Sequence, residues 1–469
     1  MTRTLYENIS LLATFDDDDR ELRDAAILVE DHLIAAIGPA DSLRAQYRPD
    51  RSVDLSDHVV LPGFVNTHHH FYQSFTRAMA QNAGTFEFLR ALYPVWSRLD
   101  DDALYVGTRL SMAELLLSGC TTTADHHYVF PDGVTMDSQM EAAASMQMRF
   151  HACRGAMSLG QSDGGLPPDA CVEAEEDILK DSERVIDRYH DASPHAMTRV
   201  ALAPCSPFSV TGGLMKEVAE LARQKGVRLH SHIAQDADED AFSLEKYGKR
   251  SIDFAESVGW LGPDVWFAHC IYLTDDELNR FAESGTGVSY CPTANSRVAA
   301  GIARVGEMLS RNMGVSYGVD GAASSDAGNM VSEIRHGLLS QRIAAVKPAT
   351  HNAPTGTVAP GSAAALSARQ ALYMATRGGA AVLGRDDIGQ LAEGKCADFI
   401  AVDTRQIQFS GAQWDPIGAI AFCGMPRADQ VVVNGKQLVK DGRLVHVEEA
   451  QLVAEHRAVM KRLYDMPPG

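Results

Sequence analysis

The sequence predicts an α/β fold: a (β/α)8 TIM barrel carrying a small β-sandwich built from both chain termini. Three observations predict it. Between residues 63 and about 384, eight short apolar runs rich in β-branched residues alternate with stretches of three-to-four-residue apolar spacing. Polar residues capable of chemistry collect just after those runs, where barrel enzymes place them. Further strand-like runs flank this region on both sides and are too few at either end to close a core alone. The expected divisions are residues 1–62 and 385–469 for the two parts of the sandwich, the second with a closing helix, and 63–384 for the barrel.

Taken in order, the N-terminal unit holds Leu5–Ile9, Ala26–Val29, His32–Ile37 and Val59–Leu61 as strands. The barrel strands are expected at Phe64–Thr67, Thr121–Ala124, Arg149–Cys153, Arg199–Ala203, Arg228–His232, Val265–His269, Gly287–Cys291 and Val315–Val319. Helices between them include Asp102–Ser118 before Gly119, Leu214–Gln224 before Gly226, and Glu277–Glu283 before Gly285. In each case glycine supplies the left-handed residue that ends a helix. Ser367 is a candidate N-cap for a helix Ala368–Leu383. Strands Ala397–Val402, Gln430–Val433 and Gln437–Val439 follow, with Asn434-Gly435 as a turn, and 447–465 reads as a surface helix.

Composition narrows the function. The chain has 469 residues, 45% of them hydrophobic, enough for a large core and a smaller second unit. A net charge of −20 with no basic patch argues against a nucleic-acid partner. No run of about 18 apolar residues is long enough to span a membrane. The N-terminus has no apolar signal-peptide core. None of the eight cysteines forms a CxxC pair, which fits buried thiols in a reducing compartment. The expectation is a cytoplasmic protein.

The richest stretch is Val59-Val-Leu-Pro-Gly-Phe-Val-Asn-Thr-His-His-His70. Strand alternation sends His68 and His70 to one side and His69 to the other. The ends of the other strands add Asp125, His126 and His127, then Arg154, then Cys205 and Ser206. His230, His232 and Gln235 follow strand 5, His269 strand 6, Asn295 strand 7 and Asp320 strand 8. Histidine or aspartate at four strand ends suits one divalent metal ion, zinc first and iron second, with no need of cysteine.

Asn66-Thr-His68-x-His70, His230-x-His232, Ala268-His269 and Gly318-Val-Asp320-Gly-Ala together resemble the amidohydrolase superfamily, in its mononuclear deaminase and chlorohydrolase branch. Gly389-Gln-Leu-Ala-Glu-Gly-Lys-Cys-Ala-Asp398 resembles the segment that returns such chains to their sandwich. Within the branch, His68-His-His-Phe-Tyr-Gln73, Ser118-Gly-Cys-Thr-Thr122, Arg154-Gly, Asp163-Gly-Gly-Leu-Pro-Pro168 and Ala203-Pro-Cys205-Ser-Pro-Phe are similar to 8-oxoguanine deaminases and hydroxyatrazine ethylaminohydrolases. The resemblance implies hydrolysis of an exocyclic C–N bond on an oxygen-bearing N-heterocycle, a small-molecule substrate, and a homo-oligomer.

It also implies roles. His68, His70, His232 and Asp320 match the metal ligands. The metal lowers the pKa of a bound water toward ~7, creating hydroxide at neutral pH. Asp320 can also accept the water's proton, and His269 matches the histidine that polarises substrate or steadies the water. Gln73 and Arg154 match ring-recognition positions; the rival reading of Arg154 is a structural ion pair. Cys205 and Ser206 are candidates to line the pocket, and Asn295 either touches substrate or caps a loop. His126 and His127 are read as supporting residues.

Gln235 departs from the pattern. The resembling families usually carry glutamate there as a proton shuttle, and glutamine cannot move a proton. Asp236 or Asp238 could take over, the substrate could need less acid help, or activity could be weak. The expected reaction is deamination of an oxidised aminopurine, 8-oxoguanine to urate. The alternatives are an s-triazine or pterin aminohydrolase, and a weakly catalytic or non-catalytic heterocycle-binding barrel.

Overall fold

The computed structural model describes residues 1–131, 133–345 and 366–465. Eight parallel strands close into a barrel: Phe64–Asn66, Cys120–His127, Arg149–Ala156, Thr198–Pro204, Arg228–Ile233, Val265–His269, Gly287–Tyr290 and Val315–Tyr317, here strands 1 to 8. Neighbours in sequence are neighbours in space, and Tyr317 opposite Asn66 completes the ring. Val65, Ala124, Cys153, Ala201, Ala203 and Trp266 pack together with Val382, Leu383 and Ile388 in one buried cluster. The strands are therefore buried on both faces, which is why they read as continuous apolar runs.

The helices form where the spacing placed them, and their ends show why. Asp100 accepts the Ala103 N–H at the start of Asp101–Leu117. Thr211 caps Gly212–Lys225, which stops at Gly226 with φ 69°. Thr274 and Glu277 make a reciprocal capping box for Asp275–Ser284, ended by Gly285 at φ 74°. Ser367 caps the helix from Ala368 as expected, but that helix is interrupted. A widened turn at Met374–Gly378 separates Ala368–Tyr373 from Gly379–Val382. A Cβ at Gly379 would come within 2.8 Å of Val65 Cβ, so glycine lets this segment lie against strand 1.

Both ends of the described chain meet in a nine-stranded mixed sheet. Its seam is Phe399–Asp403, antiparallel to His58–Pro62. The strand Arg3–Ala13 forks. Thr4–Glu7 pairs with Arg51–Asp54, whereas Leu11–Leu12 pairs with Val59–Val60. An irregularity lies between Tyr6 and Ile9, where Asn8 sits at φ 60°. The Tyr6 ring meets the edge of Phe399 at 4.8 Å, joining the halves in one core. Arg149, at the start of strand 3, is tied to this sheet by a buried ion pair to Asp398, Nε to Oδ2 2.9 Å. Among the short elements that went unread in the sequence are the helices Ala40–Tyr47 and Pro416–Cys423 and the strands Arg51–Asp54 and Arg443–Leu444. No helix among the described residues is long and apolar enough to cross a membrane.

Candidate metal centre and substrate cavity

Strand 1 stops at Asn66, and the chain resumes pairing at His69–His70, which lies parallel to Asp320–Gly321. This two-residue bridge beyond the barrel rim brings the strand 1 and strand 8 ends together. The Asp320 N–H donates to the His68 carbonyl at 3.0 Å. The Asp320 Oδ1 then lies 3.4 Å from His68 Nε2 and 3.2 Å from His70 Nε2. Strand 5 delivers His232, whose Nε2 is 3.1 Å from that of His70.

Hydrogen bonds decide which ring nitrogens face one another. A carbonyl only accepts, so His70 Nδ1 donates to the His126 carbonyl and His232 Nδ1 to the Cys205 carbonyl, each at 2.7 Å. His68 Nδ1 is engaged by His230 Nε2 at 2.7 Å, and His68 Nε2 has no hydrogen-bond partner among the described residues. Three Nε2 atoms and a carboxylate oxygen thus converge, all buried. Burial pushes the His68 and His232 imidazoles well below their ordinary range, favouring the neutral form that binds metal. Burial opposes ionisation of Asp320, but the adjoining His68 and His70 rings outweigh it and hold the carboxyl well below the usual range. Lone pairs packed this closely repel unless a cation or proton lies among them. Three imidazoles and one carboxylate fit a divalent metal of the zinc type.

Above this cluster is a small cavity at the strand ends. His70, His232, His269 and Asp320 line it from the strand ends, joined by Gln73, Tyr128, Cys205 and Gln235. Thr85, Phe88 and Leu89, on one face of the helix Thr85–Trp96, cover it; Phe208, Val298 and Ser324 complete the wall. His269 lies at φ 74°, and its Nδ1 is 2.8 Å from Asn295 Oδ1. Burial lowers its pKa, so the ring is neutral. With Nδ1 donating, Nε2 carries the lone pair. Gln73 Oε1 is buried and has no hydrogen-bond partner among the described residues. A Cβ at Gly321 would fall 1.8 Å from that oxygen, so only glycine there admits this glutamine rotamer.

Several expected site residues take other places. Arg154 does not line the cavity. It lies over Phe130 and bonds Glu173 and Asp181 on the other side of strand 3, the structural ion pair that was its rival reading. Asn295 does not line it either, and acts on His269. Ser206 Oγ pairs with Ser209. Asp236 caps the helix Ala237–Tyr247 by accepting from Glu239 N–H, and Asp238 is exposed; neither carboxylate lines the cavity to replace a shuttle. Glu239 instead accepts the Ala234 and Gln235 N–H groups, at 2.7 and 3.1 Å, and fixes the turn that presents Gln235. Burial pushes its carboxyl up to about 7.

His69 and His127 stay out of the lining. Asp125 supports the turn after His70 by accepting the Phe71 N–H at 2.7 Å. Tyr128 was missed because strand 2 runs to His127, three residues beyond its apolar run, and carries the tyrosine to the rim. The insertion after strand 1, which carries Leu92-Tyr-Pro-Val-Trp96, could from its sequence be either a lid over the site or a packed helix; its helix Thr85–Trp96 turns Thr85, Phe88 and Leu89, at the i, i+3, i+4 spacing of one helical face, to the cavity.

Comparison with known proteins agrees with this geometry. The Amidohydrolase family model matches residues 59–438, and a bacterial imidazolonepropionase-like composite domain matches 25–48. An 8-oxoguanine deaminase of Pseudomonas aeruginosa is 43% identical over 471 residues, covering 99% of each chain. A hydroxydechloroatrazine ethylaminohydrolase of Pseudomonas sp. (strain ADP) is 37% identical, covering 99% of this chain and 96% of that one. The solved atrazine chlorohydrolase of Arthrobacter aurescens TC1, complexed with zinc, superposes with a TM-score of 0.88 at 33% identity, over 97% of this chain and 100% of that one. The chain belongs to the amidohydrolase family.

Proposed function

We propose that this chain is a zinc-dependent aminohydrolase that converts 8-oxoguanine to urate and ammonia. The observation that carries this reading is the convergence of His68, His70, His232 and Asp320 beneath a cavity at the strand ends, in a chain 43% identical over its length to an 8-oxoguanine deaminase. His68, His70, His232 and Asp320 would hold one ion. When bound, zinc supplies a water acidic enough to ionise near neutral pH.

The chain's own residues supply the rest. Water adds to the ring carbon bearing the amino group, the C–N bond breaks, and ammonia leaves after gaining a proton. His269 Nε2 accepts a proton from the attacking water, held in that tautomer by Asn295. Asp320 is the second proton acceptor and passes its proton toward the leaving nitrogen. Gln73 Oε1, an acceptor with no hydrogen-bond partner among the described residues, meets a ring N–H. Gln235 can orient the opposite edge through its amide without moving a proton. Tyr128, Phe88 and Phe208 flank a flat ring, and Cys205 closes the wall beside His232. Water exclusion strengthens each of these polar contacts.

A second reading, hydrolytic release of an alkylamine from an s-triazine ring, is favoured by Gln235 itself. A triazine that needs less acid help than a purine would tolerate glutamine there. Metal-replete protein assayed on 8-oxoguanine, guanine, isoxanthopterin and hydroxyatrazine separates the two. We expect ammonia and urate from 8-oxoguanine. Ethylamine from hydroxyatrazine, without turnover of 8-oxoguanine, would establish the second reading. No turnover of any of the four would sink both.

A further inference from the structure

His230 is buried on strand 5, two residues before His232, and the proposed reaction leaves it without a role. We propose that His230 is a positioning residue that fixes the tautomer of His68 through a side-chain relay and thereby sets the affinity of the metal centre. The inference rests on the metal-centre reading above.

The relay is legible atom by atom. His230 Nδ1 lies 3.0 Å from the Trp266 carbonyl, which can only accept, so that nitrogen carries a proton. Among the described residues, the ring nitrogens bond only the Trp266 carbonyl and His68, and no carboxylate pairs with the ring. The neutral ring therefore presents a lone pair at Nε2, 2.7 Å from His68 Nδ1. His68 must donate there, which leaves its Nε2 unprotonated and facing His70, His232 and Asp320. The wrong His68 tautomer would set two lone pairs against each other across 2.7 Å and point a proton at the ion.

The relay is also held in place. The His230 ring stacks on Trp266 at 4.5 Å with planes 15° apart. Trp266 Nε1 in turn donates to the carbonyl of Thr67, the residue before His68. One tryptophan thus fixes both ends of the bond.

What singles out His68 is the nature of its partner. His70 and His232 are oriented by backbone carbonyls, which no substitution removes. His68 alone among the three depends on a side chain. Donor atoms of His68, His126 and His230 also lie close enough to suggest a second ion. A separation of 2.7 Å between His68 and His230 is a hydrogen bond, with no space for an ion between the two rings.

The test is zinc affinity, measured by competition with a chelator and independent of turnover, with stoichiometry and circular dichroism in parallel. Wild type is expected to bind one zinc. H230F, which removes the acceptor, should weaken binding roughly 10–100-fold at unchanged stoichiometry. H230Q, which restores an acceptor at its amide oxygen, should recover much of the loss. If H230F fails to fold, H230L makes the same deletion.

Wild-type affinity in H230F, while H70A abolishes binding, would overturn the relay and leave the metal centre standing. Two zinc ions in wild type falling to one in H230F would make His230 a ligand and also overturn it. Indifference of zinc binding to H70A would overturn the metal centre itself, and the relay with it.

Discussion

Gln235 decides how far the proposed chemistry can run. Its amide sits on the cavity wall, on a turn pinned by Glu239 beneath it. The nearby acids are committed elsewhere: Asp236 to a helix cap, Asp238 to solvent, and Glu239 to two backbone N–H groups. The proton for the leaving nitrogen must then come from Asp320 or His269, both of which also serve the attacking water. Q235E should relieve that double duty. Positioned proton transfer is worth about 10²–10⁴-fold, so a rise of tenfold or more in kcat on 8-oxoguanine is expected, with KM changed much less. An unchanged or lower kcat would mean that the existing residues already complete the transfer. Arg154 shows the limit of reading single residues. Its place at the end of strand 3 pointed to the substrate, but its partners Glu173 and Asp181 lie 19 and 27 residues on in the chain, a pairing that no local pattern reveals.

At the level of elements, the barrel was legible because each strand is buried on both faces and each helix keeps its own period. What strands fail to advertise is where they end. Strand 2 continues through Asp125, His126 and His127 because these pair in register with Ala152, Cys153 and Arg154 of strand 3. For the insertion that forms the helix Thr85–Trp96 the sequence left a lid and a packed helix both open, since what holds it over the cavity lies in loops far along the chain. Arg297 donates to the Met79 and Ala80 carbonyls and pairs with Asp326, which accepts the Ala78 N–H. Ala78 and Ala80 both sit at positive φ, 56° and 49°, a strained loop kept shut by one guanidinium. His269 and Asp320 are at most 4% exposed, and the cavity they line is covered by this helix. R297M should loosen it. Hydrogen exchange across residues 77–96 should speed up, and KM should rise several-fold while the melting temperature falls only slightly. Unchanged exchange there would show that the clamp does not govern opening.

At the scale of the whole molecule, the two chain ends do more than build a sheet. After the last strand, the helix Glu449–Asp465 leaves the sheet and packs on the insertion that follows strand 1. His456 stacks on Phe75 at 4.3 Å with planes 5° apart, and its Nε2 lies 3.1 Å from Ser74 Oγ. Arg462 pairs with Asp100 and Asp102, and Arg98 donates to the Leu463 carbonyl. Phe75 and Ser74 directly follow Gln73, so the far end of the chain braces the residue proposed to meet the substrate ring. The sequence showed an amphipathic closing helix. It could not show which surface that helix closes, because the contact spans more than 350 residues. Deleting residues 449–469 removes the buried side chains of Leu452, Val459 and Leu463 and uncovers the surface they pack against. Each fully buried aliphatic side chain is worth about 1.5–3 kcal/mol, so the melting temperature should drop by several degrees or more. A loss confined to stability would mean that the helix only covers the core. The bracing role predicts more: KM for 8-oxoguanine should rise at temperatures where the truncated protein is still folded, and H456L, which keeps the helix but loses the bond to Ser74, should show a smaller rise in the same direction. Zinc affinity should be nearly unchanged in both, since none of the four proposed ligands touches this helix. A truncated protein that loses zinc and substrate affinity together would place the damage in the barrel, and the bracing role would fall.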